Sequence, residues 1–123
     1  MSAGTVNFLC EQGATFERTI TWKDATSSAV NITNYDARMD VRFAKTKESD
    51  LVITLTSSNG RLSRLSPYSS GKFKVAISAA DTAALTPATY FYDLEVFSSD
   101  STDPVVVHRL IQGKFTVEAE VTG

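Results

Sequence analysis

The sequence predicts an all-β protein: an antiparallel two-sheet β-sandwich (Ig-like or related) of about eight to nine strands, with one short helical turn near residues 79–85. Three observations lead there. Apolar residues recur at every second position through much of the 123-residue chain, the period of a strand with one face on a core and the other in water. Turn signals rich in Gly, Asn, Asp, Ser and Pro interrupt the alternation about every eight to twelve residues. Only one segment carries helix signals.

In chain order, Val6–Cys10 reads as a short strand. Thr15–Trp22 follows, with Phe16, Ile20 and Trp22 on one face. Arg18 falls on that same face, and a long side chain can snorkel past a sheet edge, so it belongs near a rim. Ala29–Ile32 reads as another short strand. The clearest is Tyr35–Phe43, where every odd position is apolar and Asp36, Arg38, Asp40 and Arg42 take the even ones. Lys45–Asp50 is a charged loop. Leu51–Thr56 and Arg61–Leu65 flank Ser57-Ser58-Asn59-Gly60, whose Asn-Gly pair favours a tight hairpin because both residues tolerate positive φ. Ser66–Gly71 is a second turn, and Phe73, Val75 and Ile77 form the inward side of the next strand.

Ser78–Pro87 is the helical stretch: Ser78 caps, Asp81 stands three residues on as in a capping box, and Pro87 stops it. Tyr90, Tyr92, Leu94 and Val96 make another inward set. Ser98–Pro104 is an exposed tip, Pro104–Ile111 a strand, and Gln112-Gly113 a tight turn or bulge. Phe115, Val117, Ala119 and Val121 alternate with charged or hydroxylated neighbours in a last strand. Nothing divides the chain, so residues 1–123 read as one domain.

Composition narrows the function classes. Hydrophobic content of 42% and charged content of 21% suit a folded globular domain. A net charge of −2, with cations scattered among acids, offers no basic field for nucleic acid or an anionic membrane. No apolar run reaches the length of a membrane span, and no signal peptide is visible at the N-terminus. The single cysteine, Cys10, has no partner for an internal disulfide or a metal knuckle, which fits synthesis in a reducing cytoplasm.

No catalytic residue, metal ligand set or cofactor site is expected. The only histidine, His108, lies on a predicted strand after three valines, with no nucleophile motif to pair with it. Asp93 and Glu95 share a strand face about 7 Å apart, as do Glu118 and Glu120; the spacing suits a glycosidase pair or calcium in principle, and a solvated face in the ordinary case. Trp22 is expected in the core. Tyr90-Phe91-Tyr92 puts rings on both faces of one strand, with Phe97 on the face of Phe91. Phe91 therefore either packs beneath a helix or neighbouring layer or is exposed for a partner, since outward apolar residues on a small sandwich often mark an interface. Phe91, Phe97 and Arg18 are therefore the interface candidates.

The order of the pieces carries a resemblance. Gln12–Trp22, Val30–Met39, Gly71–Ser78, Tyr90–Val96 and Arg109–Val117, taken in succession, resemble the small β-sandwich proteins encoded among tailed-phage tail and baseplate genes, and are similar to the N-terminal domains of baseplate upper proteins. The likeness runs from Gln12 to Thr122 and rests on turn and core patterns. It implies a non-enzymatic virion component of the tail, baseplate or fibre-attachment (adaptor) type, made in the host cytoplasm, whose partners are other virion proteins and copies of itself. A capsid-decorating protein or a carbohydrate-binding module with Trp22 or the tyrosines as platforms are the alternatives on the same fold.

Overall fold

The computed structural model describes residues 4–46, 48–98 and 106–121. Nine strands form among them: β1 Gly4–Thr5, β2 Phe8–Glu11, β3 Phe16–Thr21, β4 Tyr35–Arg42, β5 Leu51–Thr56, β6 Leu62–Arg64, β7 Lys72–Ile77, β8 Ala88–Ser98 and β9 Val107–Glu118. Among the described residues there is one α-helix, α1 Ala79–Ala83, with the Ser78 hydroxyl accepting from the Asp81 N–H, and a 3-10 turn at Tyr68–Ser70. Two sheets face each other. The larger, sheet A, runs β1-β9-β8-β4-β5 with β2 also on β9; the smaller, sheet B, runs β3-β7-β6. This is an all-β sandwich with an immunoglobulin-like strand order.

Alternation is what builds the core. Ala37, Met39 and Val41 of β4, Phe73, Val75 and Ile77 of β7, and Tyr90, Tyr92, Leu94 and Val96 of β8 all point inward and are buried, and they join one cluster with Phe8, Cys10, Phe16, Phe115 and Val117. Ring packing ties the two sheets together: Phe16 of sheet B meets Phe115 of sheet A at 5.3 Å and Phe8 at 5.8 Å. Such edge contacts add about 0.5–1.5 kcal/mol beyond burial.

The structure corrects the sequence reading at several points. The pairing is not wholly antiparallel, because β1 and β2 run parallel to β9. They are separate strands because the chain kinks at Val6-Asn7, where Asn7 Oδ1 accepts from the Lys114 N–H at 3.0 Å and takes the place of a backbone carbonyl. The two strands expected at Pro104–Ile111 and from Phe115 onward are a single β9, and Gln112-Gly113 lies within it. The bulge falls earlier: Leu94 faces Ile111 while Glu95 faces Arg109, leaving Leu110 over. Gly113 is required for another reason, since a Cβ there would strike the Val6 carbonyl. β9 ends at Glu118, so Val121, expected inward, is almost fully exposed.

Asn59-Gly60 is not a hairpin between paired strands. β5 pairs with β4 and β6 with β7, so this turn carries the chain from sheet A to sheet B. Asn59 Oδ1 accepts from the Thr56 and Arg61 N–H groups and organises the crossing. Ala29–Ile32 does not form a strand beyond an isolated Lys23–Ala29 bridge. Asn31 Oδ1 instead accepts from the Thr33 N–H and hydroxyl, a local turn that competes with a ladder. Ser99–Pro104, most of the expected third turn, lies outside the described residues.

Candidate interaction site

Polar side chains of β4, β8 and β9 form cross-strand rows on the outer face of sheet A. Asp36 stands opposite Phe97, Arg38 opposite Glu95, Asp40 opposite Asp93 and Arg42 opposite Phe91; β9 extends the last three rows with Arg109, Gln112 and Lys114. Ion pairs run within and between rows: Arg38 Nε to Glu95 Oε1 at 3.0 Å, Arg109 Nε to Asp93 Oδ2 at 3.2 Å, and Arg42 Nη2 to Asp40 Oδ2 at 3.3 Å. Asp40 also accepts from the Thr54 hydroxyl. Each exposed pair contributes no more than about 1 kcal/mol, so the rows shape a surface more than they hold the fold.

At the centre of this face lies a concavity of about 570 Å³ lined by Asp40, Arg42, Lys45, Phe91, Asp93 and Arg109, among others. Asp40 and Asp93 face each other directly, an unfavourable like-charge placement. Burial pushes the Asp93 carboxyl above its ordinary range; Glu95 and Asp40 push the same way, and Arg109 and Arg42 pull back. The groove therefore offers both signs of charge at fixed positions beside an aromatic wall.

The expected interface residues occupy two places. Phe91 and Phe97 both lie on this outer face, each half-buried beneath a cation: Lys45 Nζ is 5.4 Å from the Phe91 centroid, and the Arg38 guanidinium 4.8 Å from that of Phe97. Arg18 lies elsewhere, at the rim as expected. It caps the Phe16 ring at 4.5 Å, and Nη2 donates to the Leu9 carbonyl of β2 at 3.2 Å. Its guanidinium closes the seam between the edge strands of the two sheets.

Other candidates resolve as follows. His108 is exposed and lies 5.6 Å from the Trp22 ring. Trp22 itself is buried and meets Tyr35 edge-on at 5.0 Å, so it has no free face for a sugar. Asp93 and Glu95 are each held by a different arginine, and Glu120 lies beyond the end of β9, so it shares no strand face with Glu118. Among the described residues, no group of three or more His, Cys, Asp or Glu is placed to hold a metal ion, and no helix is long and apolar enough to cross a membrane. Burial raises the Cys10 thiol above its ordinary range.

Sequence reasoning left Asp40, Arg42, Lys45 and Arg109 out of the site. The alternation of residues 36–42 marked their face as polar, but only the register of β4, β8 and β9 brings those charges together. No protein-family model matches the chain, and no curated protein matches it.

Proposed function

We propose that the chain is a structural subunit of a tailed-phage virion, in a tail, baseplate or fibre-attachment position, which works through protein–protein interfaces and not by catalysis. In this reading it is made in the host cytoplasm and takes fixed places in the particle in several copies. The observation that carries the reading is the outer face of sheet A, where Phe91 and Phe97 lie under Lys45 and Arg38 beside ion-paired rows. Aromatic and arginine side chains are the residue types enriched where proteins meet. Patterned charge on such a face gives register and partner choice more than raw affinity. The succession of turn and core segments from Gln12 to Thr122 supports the same placement.

Cryo-electron microscopy of purified particles encoded with this chain, backed by cross-linking mass spectrometry, tests it. The expected result is several copies at symmetry-related positions, with cross-links from the outer face of sheet A to a neighbour. A protein that stays in the lysate and is missing from particles overturns the proposal. Density on the capsid shell would replace the tail position with a decorating one.

A further inference from the structure

We infer that two copies of the chain pair edge to edge through β3, antiparallel about a two-fold axis at Thr19, joining their small sheets into one. This deepens the assembly reading by naming the partner as a second copy.

The argument starts from which way the backbone of β3 points. Within sheet B, Ala76 N–H donates to Arg61 O at 2.8 Å and Leu65 N–H to Lys72 O at 2.9 Å. The backbone groups of Lys72, Lys74 and Ala76 therefore face β6, and those of Gly71, Phe73, Val75 and Ile77 face β3. Trp22 N–H donating to Gly71 O at 2.8 Å agrees. By the register of β3 on β7, Phe16, Arg18 and Ile20 spend their backbone groups on β7. Glu17, Thr19 and Thr21 turn theirs outward, along an edge where all three residues are exposed. Among the described residues the one bond made there is from Arg18 Nη1 to the Glu17 carbonyl at 2.7 Å, which leaves that oxygen a second lone pair. An unpaired row of this kind is a template for another strand.

Register selects a second copy as the occupant. With Thr19 opposite its symmetry mate, Glu17 falls opposite the mate's Thr21, and the three outward residues of each chain exchange about six ladder hydrogen bonds. Thr–Thr is a favourable cross-strand pair, and no like charges stand opposite each other. On the inner face Arg18 meets the mate's Ile20. An axis at Glu17 would set two carboxylates face to face and one at Arg18 two guanidinium side chains, while an axis at Ile20 or Thr21 would leave Glu17 opposite a residue beyond the end of the mate's β3. Arg18, bound to the Leu9 carbonyl, seals the seam beneath, so an added strand extends sheet B without entering the core.

Sedimentation of the purified chain across a concentration series, with three variants, tests the pairing. Thr19→Pro removes the central donor at an edge position whose own fold does not use it. Thr19→Cys places thiols within disulfide reach across the axis, about 5.5 Å between Cα atoms. Thr21→Cys leaves its thiols about 13 Å apart along the strands. The expected results are a dimer for the parent, association weakened at least tenfold in favour of monomer for Thr19→Pro, and a covalent dimer on mild oxidation of Thr19→Cys alone. A parent that stays monomeric up to about 1 mM, a dimer that ignores Thr19→Pro while Thr19→Cys fails to cross-link, or equal cross-linking of both cysteine variants overturns the inference. Such failure removes the dimer and leaves the particle experiment to decide the virion reading separately.

Discussion

Replacing Tyr92 with phenylalanine deletes one oxygen from the place where the N-terminal segment joins the sandwich. The ring of Tyr92 is buried, and its hydroxyl donates to the Val6 carbonyl at 2.6 Å, across 86 residues of chain. Val6 is also the point where β1 gives way to β2, so this bond holds the kink against β8. A net hydrogen bond contributes about 0.5–1.5 kcal/mol, and a partly covered carbonyl left without its donor raises the cost to about 1–2 kcal/mol. For a domain of this size that corresponds to a melting temperature lower by roughly 4–8 °C.

A pH signature accompanies the loss. Burial raises the pKa of Tyr92 above its ordinary value, so the folded state holds the phenolic proton more tightly than the unfolded chain, where it leaves near pH 10. The unfolded state therefore binds fewer protons above about pH 10, and stability falls as pH rises. Tyr92→Phe lacks that titration, so its deficit against the parent narrows between pH 8 and pH 11. Urea unfolding at both values measures it. A variant as stable as the parent at pH 8, or a deficit that widens at pH 11, would refute the reasoning.

Other perturbations probe other joints. Gly113→Ala sets a Cβ against the Val6 carbonyl and is expected to cost about 1–3 kcal/mol as overpacking, with faster amide exchange in Gly4–Glu11 as the specific readout. Thr82→Val keeps the shape of a fully buried side chain but strands the Gly13 N–H and the Ala14 carbonyl, both bonded to its hydroxyl; the expected loss is about 1–3 kcal/mol by thermal melting. Asp93→Asn removes a carboxyl whose pKa is raised mainly by burial. The stability the parent gains by keeping Asp93 protonated is lost as pH rises above about 4, so urea midpoints should show the variant gaining on the parent between pH 4 and pH 7; a constant difference would count against it.

Much of the fold was legible in the sequence because a strand with one wet face writes its period directly. In the stretch Tyr35–Phe43 the alternation gave Ala37, Met39 and Val41 correctly as inward, while Phe43, past the end of β4, is exposed, and Ser78 with Asp81 marked the helix start. What stayed hidden depends on partners far away in sequence. Asn59-Gly60 carries the same local signal whether the flanking strands pair or part, so the crossing between sheets could not be read from it. Gly113 resembles a turn residue until Val6, remote in sequence, is laid against it. The parallel run of β1 and β2 has no local mark at all. In the candidate site, Phe91 and Phe97 were visible as outward aromatics because parity alone places them, and away from it Arg18 was visible as a rim residue because a charged side chain of inward parity must reach past a sheet edge. The charge rows were not, because Asp40 and Asp93 become neighbours only when β4 and β8 adopt their register.

β9 lies between the N-terminal strands and β8, and this arrangement dictates when the fold can close. Asn7 meets Lys114 across 107 positions, so on a ribosome adding about 5–20 residues per second the first strands wait roughly 5–20 s for their partner to be made. During that wait Phe8 and Cys10, both buried in the finished protein, have no sheet to cover them. Sheet B, complete once β7 has emerged, is free to form earlier. Closure of the larger sheet is thus a late, long-range event, and until it happens the apolar residues of β2 are the ones most open to a wrong partner.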